Sequence, residues 1–201
     1  MPALALIAFT PAAIAAPAPL TGDLALVQQH LRAVKTMTAD FAQTDRAGKV
    51  LTGVLTLKQP GKIRFQYEKG VPILIVADGG SLWFLDYSVG QKQRWPIKNS
   101  PLGILLDPSR DIGKIASIMP SSDPRIVSVM AADPNHPEYG RISMIFVRDA
   151  GAPAGLMLQG WVALDSQNNR TSVRLSHQQF DVPVSDGTFR FNDPKKNSPQ
   201  K

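Results

Sequence analysis

The chain has 201 residues, 43% hydrophobic and 19% charged, which suits a folded domain with a sizeable core and argues against disorder. It carries a formal charge of +6 and no cysteine, which excludes disulfides, thiol catalysis and Cys-ligated metals. Its Lys and Arg residues are scattered, with no recognition helix or aromatic RNA-binding motif, so weak attraction to anionic head groups fits better than nucleic acid.

Residues 1–18 hold no charge and are rich in Ala, Leu, Ile and Pro. The apolar stretch Ala3–Phe9 is shorter than the ~20 residues a membrane-spanning helix needs. Ala13-Ile14-Ala15 offers the small-x-small pattern of signal cleavage, although no positive charge precedes it. A signal peptide is expected over 1–15, one domain over 16–194 and a flexible tail over 195–201. Without a lipobox cysteine, the exported chain is expected to carry no anchor.

Leu24, Val27, Leu31 and Val34 recur at helical spacing behind Thr21, predicting a helix over about 22–35 with Thr21 as N-cap. Strands follow at about 38–45, 50–58, 62–68, 72–77, 81–86 and 90–95. The second and third are joined by Gln59-Pro60-Gly61, a hairpin turn. Ile63, Phe65 and Tyr67 share one face of their strand, and Lys62, Arg64, Gln66 and Glu68 the other. The two-residue alternation stops at 100–119. There Leu102, Leu105 and Leu106 predict one short helix, and Ile112, Ile115, Ile118 and Met119 a second, starting near Ser109. Helices this short are marginal alone, so they are expected to lie on the sheet as a cover. Strands resume at about 126–131, 141–148, 156–165 and 171–180, with a short last one at 188–191. Ten or eleven antiparallel strands curl or close, which predicts a mainly β fold with α: a half-barrel covered by short helices.

The sequence carries no recognisable enzyme signature. There is no G-x-S-x-G, Walker or G-x-G-x-x-G sequence. His30, His136 and His177 lack metal-ligand spacing, and each reads as an ordinary surface or strand histidine. No catalytic residue, metal or cofactor is expected. What remains is apolar surface. Phe41, Ile63, Phe65, Tyr67, Ile73, Ile75, Trp83, Met144, Phe146 and Trp161 are candidates to line the inside of the curled sheet. Two outcomes are open for them: a dry permanent core, or a lipid cavity beneath a removable cover.

Several stretches resemble one family when taken in order. These are MTADFAQ at 37–43, LKQPGKIRFQY at 57–67, ILIVADG at 73–79, LWFLD at 82–86, and Phe180-Asp181 followed by DGTFRFNDP at 186–194. Together they are similar to the periplasmic outer-membrane lipoprotein carriers, LolA and its relatives, over about 23–195. The resemblance implies a monomeric, non-enzymatic periplasmic chaperone that binds acyl chains in a hydrophobic cavity. It would take acylated lipoproteins from an inner-membrane lipoprotein-releasing ABC exporter and pass them to an outer-membrane receptor. Ile63, Phe65, Tyr67, Ile73, Ile75, Trp83, Met144 and Phe146 would then contact lipid. Leu102, Leu105, Ile115, Ile118 and Met119 would belong to the lid. Carriers commonly place an Arg before the hairpin proline to latch that lid, and here the position is Gln59. Its amide can donate to a helix-end carbonyl without a charge, so a weaker latch is expected. Alternatives are a same-fold receptor or sensor of lipoproteins, a binder of another amphiphile such as a glycolipid, or a hydrolase whose catalytic pair is not visible.

Overall fold

The computed structural model describes residues 21–100 and 102–195. The signal peptide expected over 1–15 and the tail beyond Lys195 lie outside these. Among the described residues eleven strands form one antiparallel sheet. They are β1 Thr36–Thr44, β2 Val50–Lys58, β3 Lys62–Tyr67, β4 Ile73–Asp78, β5 Ser81–Asp86, β6 Gln91–Pro96, β7 Ala116–Met119, β8 Ile126–Ala132, β9 Arg141–Arg148, β10 Leu156–Leu164 and β11 Arg170–Phe180. Their spatial order is β6-β5-β4-β3-β2-β1-β11-β10-β9-β8-β7, an open curved sheet with β6 and β7 at its two edges.

That order explains the cover. β6 and β7 are consecutive in sequence yet sit at opposite edges, so residues 97–115 must run across one face of the sheet. On the way they form a 3-10 turn at Ile97–Asn99, the four-residue helix α2 at Gly103–Leu106, and a 3-10 turn at Ile112–Lys114. Ile97, Ile104, Leu105, Leu106 and Ile112 all bury their side chains in the core beneath. Gly103 allows the close packing, because a Cβ there would stand 2.5 Å from the Ile97 carbonyl.

Helix α1, Gly22–Ala33, covers the other half of the same face. Val27, Leu31 and Val34 of the expected stripe are buried and Leu24 packs beside them. Thr21 occupies the N-cap position, but its side chain makes no capping hydrogen bond.

Alternation sets the inner face. In the β2–β3 hairpin Leu55 opposes Phe65 and Leu57 opposes Ile63, and all four are buried. Two bulges preserve the apolar set where strict alternation would lose it. In β10 one extra residue at Gln159 lets both Leu158 and Trp161 point inward. In β11 the register shifts by one residue around His177, whose φ is 51°.

Two expected elements take another form. The second helix expected from Ser109 is only the turn at Ile112–Lys114, and Ala116–Met119 is strand β7. The exposed edge of β8 has unpaired backbone groups that this segment satisfies, beginning with Ala132 N–H donating to Ile115 O at 2.9 Å. The strand expected at 188–191 is a 3-10 turn at Asp186–Phe189. This C-terminal segment crosses the outer face of β3–β5 rather than a free edge, so side chains hold it. Phe189 packs on Leu74, Val76 and Leu85, with Val184 and Phe191 beside it. Asp186 bridges Lys58 and Lys62 at 2.8 Å each, which holds its carboxyl down to about 2.

Candidate functional site

The inner face collects most of the residues singled out in the sequence. Ile63, Phe65, Tyr67, Met144 and Phe146 are buried in one cluster with Phe41 and Trp161, and Ile73 and Ile75 pack against it half-buried. The rings meet edge to face: Phe41 lies 5.2 Å from both Phe65 and Tyr67, and Phe65 lies 6.2 Å from Trp161. The Tyr67 hydroxyl donates to Gln43 Oε1 at 2.8 Å, and burial pushes its pKa well above the usual phenol range.

Trp83 does not join them. It pairs in register with Val76, on the outer face, where it packs beside Phe191 and donates its indole N–H to Asp78 Oδ2 at 2.8 Å. In Leu82-Trp83-Phe84-Leu85 apolar residues occupy both faces, so the sequence could not say which faced in. The expected lid also divides. Leu105 is buried on the inner side of α2, and Leu102 and Ile115 pack against the core. Ile118 and Met119 are not lid residues: they lie on edge strand β7, about 40% exposed.

A small set of polar contacts ties the cover down. Gln59 Nε2 donates to Leu105 O at 2.9 Å, and Gly61 N–H donates to Leu106 O at 2.9 Å, so the hairpin tip meets the end of α2. Farther along, Ile112 N–H donates to Gln28 Oε1 at 3.0 Å, and Arg110 pairs with Asp133 at 3.0 Å. Each glutamine is only half satisfied: Gln59 Oε1 and Gln28 Nε2 are buried without a partner. Arg64 does not substitute for Gln59, because on the outer face it donates to the carbonyls of Thr188 and Arg190.

Gln28 and His30 escaped sequence reasoning. His30 is buried rather than on the surface, its Nδ1 2.9 Å from Pro153 O and its ring edge-on to Phe146 and Phe180. Burial depresses its pKa below the ordinary imidazole value. The signal was present in the helical spacing. His30 stands three residues after Val27 and four before Val34, and Gln28 lies four after Leu24 and three before Leu31.

Beneath α2 little space is left. The space that Met37, Leu57, Gln59, Leu105 and Leu158 line beneath α2 measures about 10 Å³. That is at the threshold of ~10–15 Å³ for one water and far below an acyl chain. Among the described residues no group of three His, Cys, Asp or Glu could hold a metal, and no helix is long and apolar enough to cross a membrane.

Comparison with known proteins gives a consistent family. The family model of the outer membrane lipoprotein carrier protein LolA matches residues 32–192. An outer-membrane lipoprotein carrier protein of Chromobacterium violaceum is 28% identical over 192 residues, 92% of this chain and 89% of that one. Its counterpart in Dechloromonas aromatica is 25% identical over 182 residues, 86% of this chain and 85% of that one. Among solved structures, a LolA superfamily protein of Nitrosomonas europaea covers 86% of this chain and 99% of its own, with a TM-score of 0.44 and 9% identity. A chain of this length matched by the carrier model over 161 of its residues belongs to the LolA family of outer-membrane lipoprotein carriers, binding chaperones rather than enzymes.

Proposed function

We propose that this chain is a monomeric periplasmic carrier that receives the acyl chains of lipoproteins from an inner-membrane ABC exporter and delivers them to an outer-membrane receptor. Lipid would occupy the inner face of the sheet, against Ile63, Phe65, Tyr67, Ile73, Ile75, Met144 and Phe146. The observation that carries this reading is the cover. A continuous apolar face with five aromatic side chains, Phe41, Phe65, Tyr67, Phe146 and Trp161, is roofed by α1 and by a crossing segment whose one regular helix among the described residues has four residues.

Energetics give the covered interior a role. Each buried methylene gains ~0.8 kcal/mol, so three acyl chains could gain ~30 kcal/mol. Non-covalent affinity saturates near ~20 kcal/mol, and a carrier that releases its load must bind more weakly still. Lifting the 97–115 segment exposes Ile97, Ile104, Leu105, Leu106 and Ile112, and those lost contacts are subtracted from the gain. Gln59 and Leu105, with Leu102 and Ile115, form the gate. A neutral amide there makes a gate easier to open than a charged one.

The test loads inner-membrane vesicles with a labelled lipoprotein and adds the chain. The expected result is soluble label in a one-to-one complex, lost in Ile63→Glu because a carboxylate on that face is costly to desolvate. Normal release by a folded Ile63→Glu variant overturns the assignment of the inner face.

A further inference from the structure

The outer face of the sheet carries a second apolar site, unconnected with the cover. One end of that face, over β3–β5, is sealed by the chain's own C-terminal segment through Phe189, Val184 and Phe191. The other end, over β8, β9, β10, β11 and β1, carries no covering segment among the described residues. A groove of about 810 Å³ runs across it, within the ~300–1,000 Å³ typical of small-molecule sites.

Strand register builds the groove. One row runs Ile145, Gly160, Arg174, Ala42, and the next runs Val162, Ser172, Thr44, Val50. Small side chains and Gly160 make the floor, and Val and Ile make the walls. Gly160 sits at the bulge with φ +151°, and a Cβ there would meet the Val173 carbonyl at 2.1 Å, so the floor is bare at this point. Val50 and Ile145 expose 56% and 39% of their surface to water.

Charge completes the site. Arg170 and Arg174 lie on the same face of β11 as Ser172, exposed at the groove, and no carboxylate lines it. Neither guanidinium has a hydrogen bond or ion pair among the described residues. We propose that this groove binds the single chain of an anionic lysophospholipid, with the alkyl tail along the floor and the phosphate between Arg170 and Arg174.

Three arguments select that occupant. A peptide laid on the face of fully paired strands finds no backbone partners for its own amides, whereas an alkyl chain needs none. A carboxylate presents two coplanar oxygens that one guanidinium fork serves, whereas a tetrahedral phosphodiester directs its two non-bridging oxygens apart, one toward each arginine. A second copy of this chain, docked by two-fold symmetry, would bring the two arginine pairs toward one another.

The test titrates isotope-labelled protein with 1-palmitoyl-lysophosphatidylglycerol below its micelle concentration and follows backbone amide shifts. Saturable one-site shifts at Ile145, Gly160 and Ser172 are expected. Arg170→Gln/Arg174→Gln should weaken binding at least tenfold, and Ser172→Phe, which fills the floor from an exposed face, should abolish it. Monopalmitoylglycerol, which lacks the phosphate, should bind at least tenfold more weakly. The proposal is overturned if the shifts fall on inner-face or cover amides, if the arginine double variant binds as well as wild type, if binding appears only with micelles, or if lipid induces dimers. Because the readout is confined to outer-face amides, its failure leaves the carrier reading of the inner face standing.

Discussion

Gln59 shows how much one side chain can decide. Its amide nitrogen donates to Leu105 O, which fixes the side chain's orientation and leaves Oε1 buried without a donor. Removing it as Gln59→Ala unpairs the Leu105 carbonyl but also removes the orphaned oxygen, so the two effects partly cancel. A net loss of about 1 kcal/mol is expected for the closed cover, in line with a single neutral hydrogen bond. Gln59→Arg should do the opposite, since a charged donor makes a hydrogen bond roughly twice as strong. Hydrogen exchange of the Gly61 and Asp107 amides, bonded to Leu106 O and Gly103 O, reads this directly. About fivefold faster exchange is expected in the first variant and slower exchange in the second. Equal protection in all three proteins would mean that Gln59 does not hold α2. The position was singled out by the family resemblance, which places the latch residue before the turn proline. Its buried orphan was not, because that depends on packing against a segment 46 residues away.

At the scale of the element, α1 is docked through an imidazole as well as through aliphatics. His30 is enclosed by Phe146, Phe180 and the backbone of Pro153 and Leu156, and desolvation lowers its pKa. The unfolded chain therefore takes up a proton near pH ~6.5 at a position that the folded chain keeps neutral. Stability from this group is complete above that pH and is lost as the pH falls toward the lowered folded value. Urea midpoints measured at pH 7.5 and 5.5 should drop in wild type and drop less in His30→Gln. An identical drop would remove His30 as the source. Elements were legible where a periodicity ran unbroken, as in β2, β3 and α1. They failed where a partner decided the form. Ile112, Ile115 and Ile118 have helical spacing, yet the open edge of β8 draws Ala116–Met119 into β7. Phe189 and Phe191 alternate as a strand would, yet they meet the face of β4 and β5, where no backbone group is free.

For the whole molecule, the topology matters more than any single contact. Because the first and second halves of the sheet meet through β1 and β11, the β6–β7 connection must cross the inner face, and the roof is a consequence of strand order. No local pattern encodes that crossing, which is why the sequence predicted a cover without its route. It also did not reveal how little space would be left beneath α2. In the carrier reading proposed above, uptake of an acyl chain displaces the roof and disturbs the core beneath, and Trp161 reports on that core. It is 3% exposed and stands edge-on to Phe65, whereas the chain's other two tryptophans, Trp83 and Trp95, lie elsewhere on the sheet. In a Trp83→Phe/Trp95→Phe background, with Ser172→Phe filling the outer groove, emission comes from Trp161 alone. A lipopeptide carrying brominated acyl chains should quench it saturably, and Gln59→Arg should slow the onset by strengthening the latch. Full emission at ligand concentrations where binding is independently measured would place the lipid away from the inner face, and the roof would then be a permanent part of the core.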